Sequence, residues 1–194
     1  MKKRFKNYLM SRFVQMLDDY RRQKLNKIKT LPNVSIDDSF FLGEDSGFDI
    51  EGICKELKIY KNVSTRRFCN FMLRENATLI IHENAFFNNY SSVNCLGYIK
   101  IGHDTTLGEG VKLYDHNHKY GYNSENKLMT DRDDFKIGKI IIGNDCWIGS
   151  NVTILNNVDI GDNVIIGANN LIYKSIPSNT IVKAKVDQLL TTNN

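Results

Sequence analysis

Residues 142–177 read IGNDCWIGSNVTILNNVDIGDNVIIGANNLIYKSIP, and an isoleucine returns at every sixth position: Ile142, Ile148, Ile154, Ile160, Ile166 and Ile172. Four residues after them come Cys146, Val152, Val158 and Val164, and after Asn170 interrupts this second series it closes on Ile176. A helix turns about 100° per residue, so steps of six would scatter the isoleucines over three directions and leave no apolar stripe. A straight strand would also bury the +2 positions, but these are Asn144, Ser150, Asn156, Asp162, Ala168 and Lys174, mostly polar. The chain therefore bends once per six residues. Gly143, Gly149, Gly161 and Gly167 directly follow their isoleucines and supply the backbone freedom and close approach that tight corners need. Three short sides close a triangular coil of about eighteen residues, stacked on the next as a β-solenoid.

At 194 residues the chain is the size of one domain and long enough to bury a sizeable core. Cys54, Cys69, Cys95 and Cys146 show no CxxC pair and no metal-ligand spacing, and Cys146 holds an inward repeat position. Buried thiols in a reducing compartment follow. The opening MKKRFKNYLMSRFVQMLDDY has a basic leader without the apolar core of a secretory signal, and no apolar span of ~20 residues occurs, which reads as a cytoplasmic protein. The net charge is +4, yet residues 1–30 hold ten Lys or Arg against two Asp, so the basicity belongs to one end.

Residues 1–33 form a helical segment, with Phe5, Leu9, Phe13, Met16, Leu17, Tyr20, Leu25 and Ile28 at mostly helical spacing and basic residues between them. The expected role is a helix covering the end of the solenoid; a basic face against an anionic membrane or polymer is the alternative, and nucleic acid is not an expected partner. Residues 34–182 are assigned to the solenoid, with irregular early coils over 34–80. The six-residue beat is audible from Ile81 through Phe87, Val93 and Ile99, resumes after a shift of two at Ile101, Leu107 and Leu113, and stops. Residues 114–139, YDHNHKYGYNSENKLMTDRDDFKIGK, are too polar to fill a solenoid side and are expected to leave it as a long loop excursion. The tail, 183–194, is expected to cap the last coil.

The tandem repeat of residues 142–179, preceded by VKLYDHNH and an excursion, resembles the hexapeptide-repeat acyltransferases, most of all the galactoside, maltose and capsular-polysaccharide O-acetyltransferases. The resemblance covers residues 81–182. It implies a mainly β fold, a left-handed parallel β-helix, an exception to the right-handed crossover rule. It also implies a homotrimer in which acetyl-CoA and a sugar acceptor meet between neighbouring subunits. Matching VKLYDH to the family pattern places the catalytic imidazole at His116, with His118 second, beside the substrate-binding candidates Tyr114 and Asp115. Trp147 falls where the family keeps a tryptophan beside the pantetheine arm, Ser150 where a backbone N–H faces the thioester carbonyl, Ala168 at a backbone contact to pantetheine, and Lys174 near the CoA phosphates. Asn88 falls where an acceptor hydroxyl is held, although Asn88, Asn89 and Asn94 also suit left-handed solenoid corners. Three positions depart from the family. Leu96 replaces an acidic sugar contact, Lys183, Ala184, Lys185 and Val186 replace a Gly-x-Pro, and Asn169 and Asn170 replace a Gly-Ser.

Acyl transfer to a hydroxyl needs a base working near neutral pH and donors for an oxyanion, and histidine, with an ordinary pKa of about 6.5, suits the first task. Asp115, Asp133 and Asp134 are all able to orient such a base, and the sequence selects none of them. The expected activity is acetyl-CoA-dependent O-acetylation of a sugar hydroxyl in a surface polysaccharide or its precursor, by direct transfer and without a metal. An amino sugar or a xenobiotic is the alternative acceptor. A zinc hydratase of the γ-carbonic-anhydrase kind, with His116, His118 and either His82 or His103 as ligands, and a non-catalytic binding solenoid are the rival classes.

Overall fold

Each isoleucine of the repeat ends a strand only two to four residues long, and the chain turns before the next one begins. The computed structural model describes residues 2–183, with side chains from residue 6 onward. Three six-stranded parallel sheets form the sides of the solenoid. One coil takes Lys139–Ile142 in the first sheet, Trp147–Ile148 in the second and Thr153–Ile154 in the third. Ile142 pairs with Ile160, Ile148 with Ile166 and Ile154 with Ile172, so each coil closes after eighteen residues.

All six isoleucines point inward and none is more than 5 % exposed, and the second inward series, Cys146, Val152, Val158 and Val164, is buried with them. Burying one such side chain contributes about 1.5–3 kcal/mol, so the stacked rows dominate the stability of the wall. The corners divide two tasks between two kinds of residue. The left-handed angles fall to Asp145, Asn151, Asn157, Asn163 and Asn169, at φ between 53° and 62°, side chains that tolerate this region. Glycine serves close approach: a Cβ on Gly149 would stand 2.6 Å from the Ala168 nitrogen of the next coil.

The early coils are regular rather than irregular, but longer. Ile36 pairs with Ile59, Ile59 with Ile81 and Ile81 with Ile101, at spacings of twenty-three, twenty-two and twenty. The additional residues lengthen the third-sheet strands to four residues, as in Gly47–Ile50, Asn70–Leu73 and Ser92–Cys95. The excursion is also more ordered than a loop. It is an antiparallel hairpin of His116–Tyr122 with Leu128–Ile137.

A single helix, α1 (Lys2–Lys29), precedes the first coil and packs Leu25 and Ile28 against the core. No described helix is long and apolar enough to cross a membrane. The cap expected over 183–194, including Ala184, Lys185 and Val186, lies outside the described residues apart from the exposed Lys183.

Neighbouring residues on opposite faces test this architecture. Ile154→Ala, which empties an inward position, is expected to cost about 2–5 kcal/mol in urea unfolding, whereas Thr153→Ala on the outer face should change stability by about 0.5 kcal/mol or less. Equal losses would contradict the facing. Burial raises the pKa of all four cysteine thiols. The folded protein should therefore leave Ellman's reagent unreacted at pH 8 and release the full thiol count only on unfolding.

Candidate active site

The last third-sheet strand before the excursion, Lys112–Tyr114, delivers Asp115 into the corner, where its side chain is fully buried. A buried carboxylate is costly unless hydrogen-bonded, and this one is well supplied. It accepts the backbone N–H of Leu96 at 2.9 Å and of Gly97 at 2.8 Å, and His116 Nδ1 stands 3.2 Å from Oδ1. The Gly138 N–H donates to the Asp115 carbonyl at 2.7 Å, which closes the neck of the hairpin. Cys95 lies beside this carboxylate, and burial, reinforced by the Asp115 charge, pushes its thiol far up and keeps it protonated.

His116 is only 11 % exposed and meets Phe135 edge-on at 5.3 Å. With Nδ1–H directed at Asp115, the tautomer leaves Nε2 as the basic nitrogen. His118 differs. It is exposed, its Nδ1 faces the backbone carbonyl of Asp131 at 3.1 Å, and its ring packs on Phe135 at 4.6 Å. Asp134 pairs instead with Lys119, and Asp133 lines a cavity of about 540 Å³ at the base of the hairpin. Of the three acidic candidates, Asp115 is the one that reaches an imidazole.

That cavity was not visible from the sequence. Leu96 forms part of it, and around that apolar residue stand Glu51, Glu75 and Asp133 with Arg74, which is ion-paired to Glu51. Acidic groups thus surround Leu96, and they come from neighbouring coils and from the hairpin.

A second group lies elsewhere on the solenoid. Trp147, 58 % exposed, stands on the outer face of the second sheet in register with Thr106 and Ile165. At the following corner, Cβ atoms on Gly108 and Gly149 would stand 2.7 Å and 2.6 Å from the Ser150 and Ala168 nitrogens. The two glycines therefore keep these amides uncovered, and neither amide donates a hydrogen bond to the backbone among the described residues. The result is a lane of bare N–H donors next to an exposed indole, suited to an extended chain bearing carbonyl oxygens.

Asn88 occupies the same column two coils before Gly149, and its side-chain oxygen accepts the Asn89 N–H at 2.9 Å. Asn88, Asn89 and Asn94 are not left-handed; Tyr90 takes that corner. Tyr114 is half-buried on the outer face of the third sheet, opposite Asn94. Lys174 lies over the Tyr173 ring. By register it belongs to the corner of Asp115 and Asn156, away from Trp147.

The site residues therefore fall into two clusters, separated by the third sheet, a span of about 15 Å at ~3.3 Å per residue. One chain does not join them. The histidines of the zinc alternative are not gathered either: among the described residues, the grouping with ligand-like spacing is His103, Asp104 and Asp145, while His82 stacks on Tyr60.

Comparison with known proteins agrees with this architecture. Residues 139–174 match the model of the bacterial transferase hexapeptide family, which comprises six repeats. The putative lipopolysaccharide biosynthesis O-acetyl transferase WbbJ of Escherichia coli K12 is 31% identical over 108 residues, 54% of this chain and 55% of that protein. The chain thus spans about half the length of this curated relative. A mutant of the N-acyltransferase AntD of Bacillus cereus, solved with dTDP-4-amino-4,6-dideoxyglucose and coenzyme A, has the same fold at a TM-score of 0.59 and 20% identity, over 89% of each chain. Residues 139–174 thus carry the hexapeptide repeat of the bacterial transferase family, and the stacked three-sided coils have the fold of the Bacillus cereus protein.

Proposed function

We propose that the protein is an acetyl-CoA-dependent O-acetyltransferase acting on a sugar hydroxyl of a surface polysaccharide or its precursor. The observation that carries this reading is the buried Asp115 carboxylate aligned on His116 Nδ1 at the mouth of the hairpin. The name of the Escherichia coli relative points to O-acetyl transfer in glycan assembly, and the Bacillus cereus complex places coenzyme A and a nucleotide sugar on a solenoid of this fold.

In this mechanism the acceptor oxygen bonds to the thioester carbonyl carbon while its proton passes to His116 Nε2. Asp115 holds the ring in its Nδ1–H tautomer and stabilises the imidazolium that forms. The Ser150 N–H donates to the oxyanion, and Ala168 N–H and Trp147 hold the pantetheine arm, the amide by a hydrogen bond and the indole by apolar contact. Collapse breaks the C–S bond, and the imidazolium returns its proton to the departing sulfur. The products are the acetyl ester and free CoA, with no acyl-enzyme.

Because His116 and Ser150 lie on different corners of one chain, the reaction needs the lane of one copy against the hairpin of another. We assign the working form to a homotrimer of left-handed solenoids. Lys174, on the corner of His116, then meets the CoA phosphates from the subunit opposite the lane.

The cavity lined by Glu51, Glu75 and Asp133 favours one second reading, an amino-sugar acceptor drawn by these carboxylates, giving an amide in place of an ester. Mild alkaline treatment of the product separates the two, since it removes an O-acetyl group and spares an N-acetyl group.

His116→Ala should lower kcat about 10²- to 10⁴-fold in an acetyl-CoA assay against a panel of nucleotide sugars and polysaccharide fragments. Asp115→Asn should lower kcat less and leave the KM for acetyl-CoA unchanged. If His118→Ala abolished turnover while His116→Ala did not, the base would be misassigned. Trp147→Ala should raise the KM for acetyl-CoA about tenfold, with kcat nearly unchanged. A fully active monomer by light scattering would overturn the shared site.

A further inference from the structure

Helix α1 presents more apolar surface than the solenoid covers. Leu25 and Ile28 reach the core, but toward the N-terminus the helix stands off the coils, leaving a groove of about 880 Å³ lined on the helix by Met10, Phe13, Leu17 and Tyr20 and on the solenoid by Phe68. From the groove, through Phe13 and Tyr20, the apolar surface continues onto the outer side of the helix at Leu9 and Met16. At 100° per residue, Leu9, Phe13, Met16 and Tyr20 fall within one narrow arc, roughly 120° around the helix from Leu25 and Ile28. These four side chains are 51 %, 51 %, 58 % and 55 % exposed. An apolar strip of this kind, continuous along several turns, marks an interaction surface rather than scattered surface hydrophobes.

The charges around the strip identify what it meets. Lys6, Arg12, Lys24 and Lys27 flank it, and the helix has no acidic residue in its first turn. The two acids of the helix lie off the strip: Asp18 is turned toward the solenoid side, where it pairs with Arg21, and Asp19 lies at the edge. A second copy of the same helix would bring these cationic rims together. Anionic phospholipid headgroups would neutralise them, while Leu9, Phe13, Met16 and Tyr20 enter the headgroup boundary and the lysine stems reach outward. The helix is not apolar enough to span, so it lies in the interface.

We infer that α1 is a peripheral membrane helix whose outer face binds an anionic bilayer, with its inner face fixed to the solenoid through Leu25 and Ile28. This inference is independent of the acyl-transfer reading.

The test is co-sedimentation of the full chain with vesicles of phosphatidylcholine alone and with vesicles containing phosphatidylglycerol. Binding is expected only to the anionic vesicles, and should fall as salt is raised from 0.05 to 0.5 M because the cations act through a screened field. The double variant Leu9→Glu, Met16→Glu, at exposed positions outside the groove lining, should bind about tenfold or more weakly with an unchanged thermal midpoint and oligomeric mass. Lys6→Gln with Arg12→Gln and Lys24→Gln should weaken binding and flatten its salt dependence. Lack of sedimentation with anionic vesicles at low salt, equal binding to both vesicle types, or full binding by the glutamate variant would each overturn the inference. A glutamate variant that lost oligomeric mass, in a chain that bound no vesicles, would assign the strip to self-association instead.

Discussion

Parallel coils stacked strand on strand, about 4.8 Å apart, are the constraint from which the rest of this molecule follows. Each backbone donor at a sheet position must find a carbonyl in the next coil, so a residue's role is set by its place in a column more than by its sequence neighbours. Inward columns accept only what packs against its own kind above and below, hence the rows of isoleucine and valine. Corner columns must turn without lengthening the coil, hence left-handed asparagine and aspartate. The same rule explains the bare amides at Ser150 and Ala168, since a side chain at Gly108 or Gly149 would clash with the coil above as well as cover its donor.

Asp115 is the point where this constraint is set aside. Its column continues as Asn156 and Lys174, so a buried carboxylate here is not part of the repeat. The carboxylate replaces the coil-to-coil bonding that the chain gives up as it leaves the wall, by accepting the Leu96 and Gly97 amides of the preceding coil. The same oxygens then orient His116. One group therefore both holds the hairpin neck and fixes an imidazole, and replacing Asp115 by a small apolar residue would loosen both together, because the buried Leu96 amide and the half-buried Gly97 amide would lose their acceptor.

The sequence made the regular coils legible because their spacing is constant, and it left the early coils obscure because theirs is not. Spacings of twenty-three, twenty-two and twenty residues destroy a six-residue count even though every inward position is still apolar. The hairpin was silent for a different reason. Its residues, among them His118, Tyr120 and Tyr122, are exposed on both faces, so there is no alternation to read. Choosing Asp115 over Asp133 and Asp134 required knowing which amides lie beneath it. Lys174 shows the limit of matching by offset: its position after Ile172 placed it in the repeat, but only the register shows that its corner is that of Asp115. The acidic cavity at Glu51, Glu75 and Asp133 gathers residues from distant parts of the chain and has no local signature.

A wall built this way cannot close around a substrate, because moving one strand would break bonds to two neighbours. Preorganisation is therefore cheap in such a fold, and adjustability has to come from parts outside the stack. Two such parts border the candidate site: the hairpin, tied down mainly at its neck through Gly138 and Asp115, and, in the proposed trimer, the face of another copy. Donors for a developing charge belong on the rigid wall, where they need no reorganisation when the charge appears. In the proposed mechanism, discrimination among acceptors belongs on the hairpin and the acidic cavity beneath it, where side chains change without disturbing a column. A solenoid of this kind can keep one acyl-transfer chemistry across many acceptors by varying residues 116–137 while residues 142–176 stay under the packing constraint.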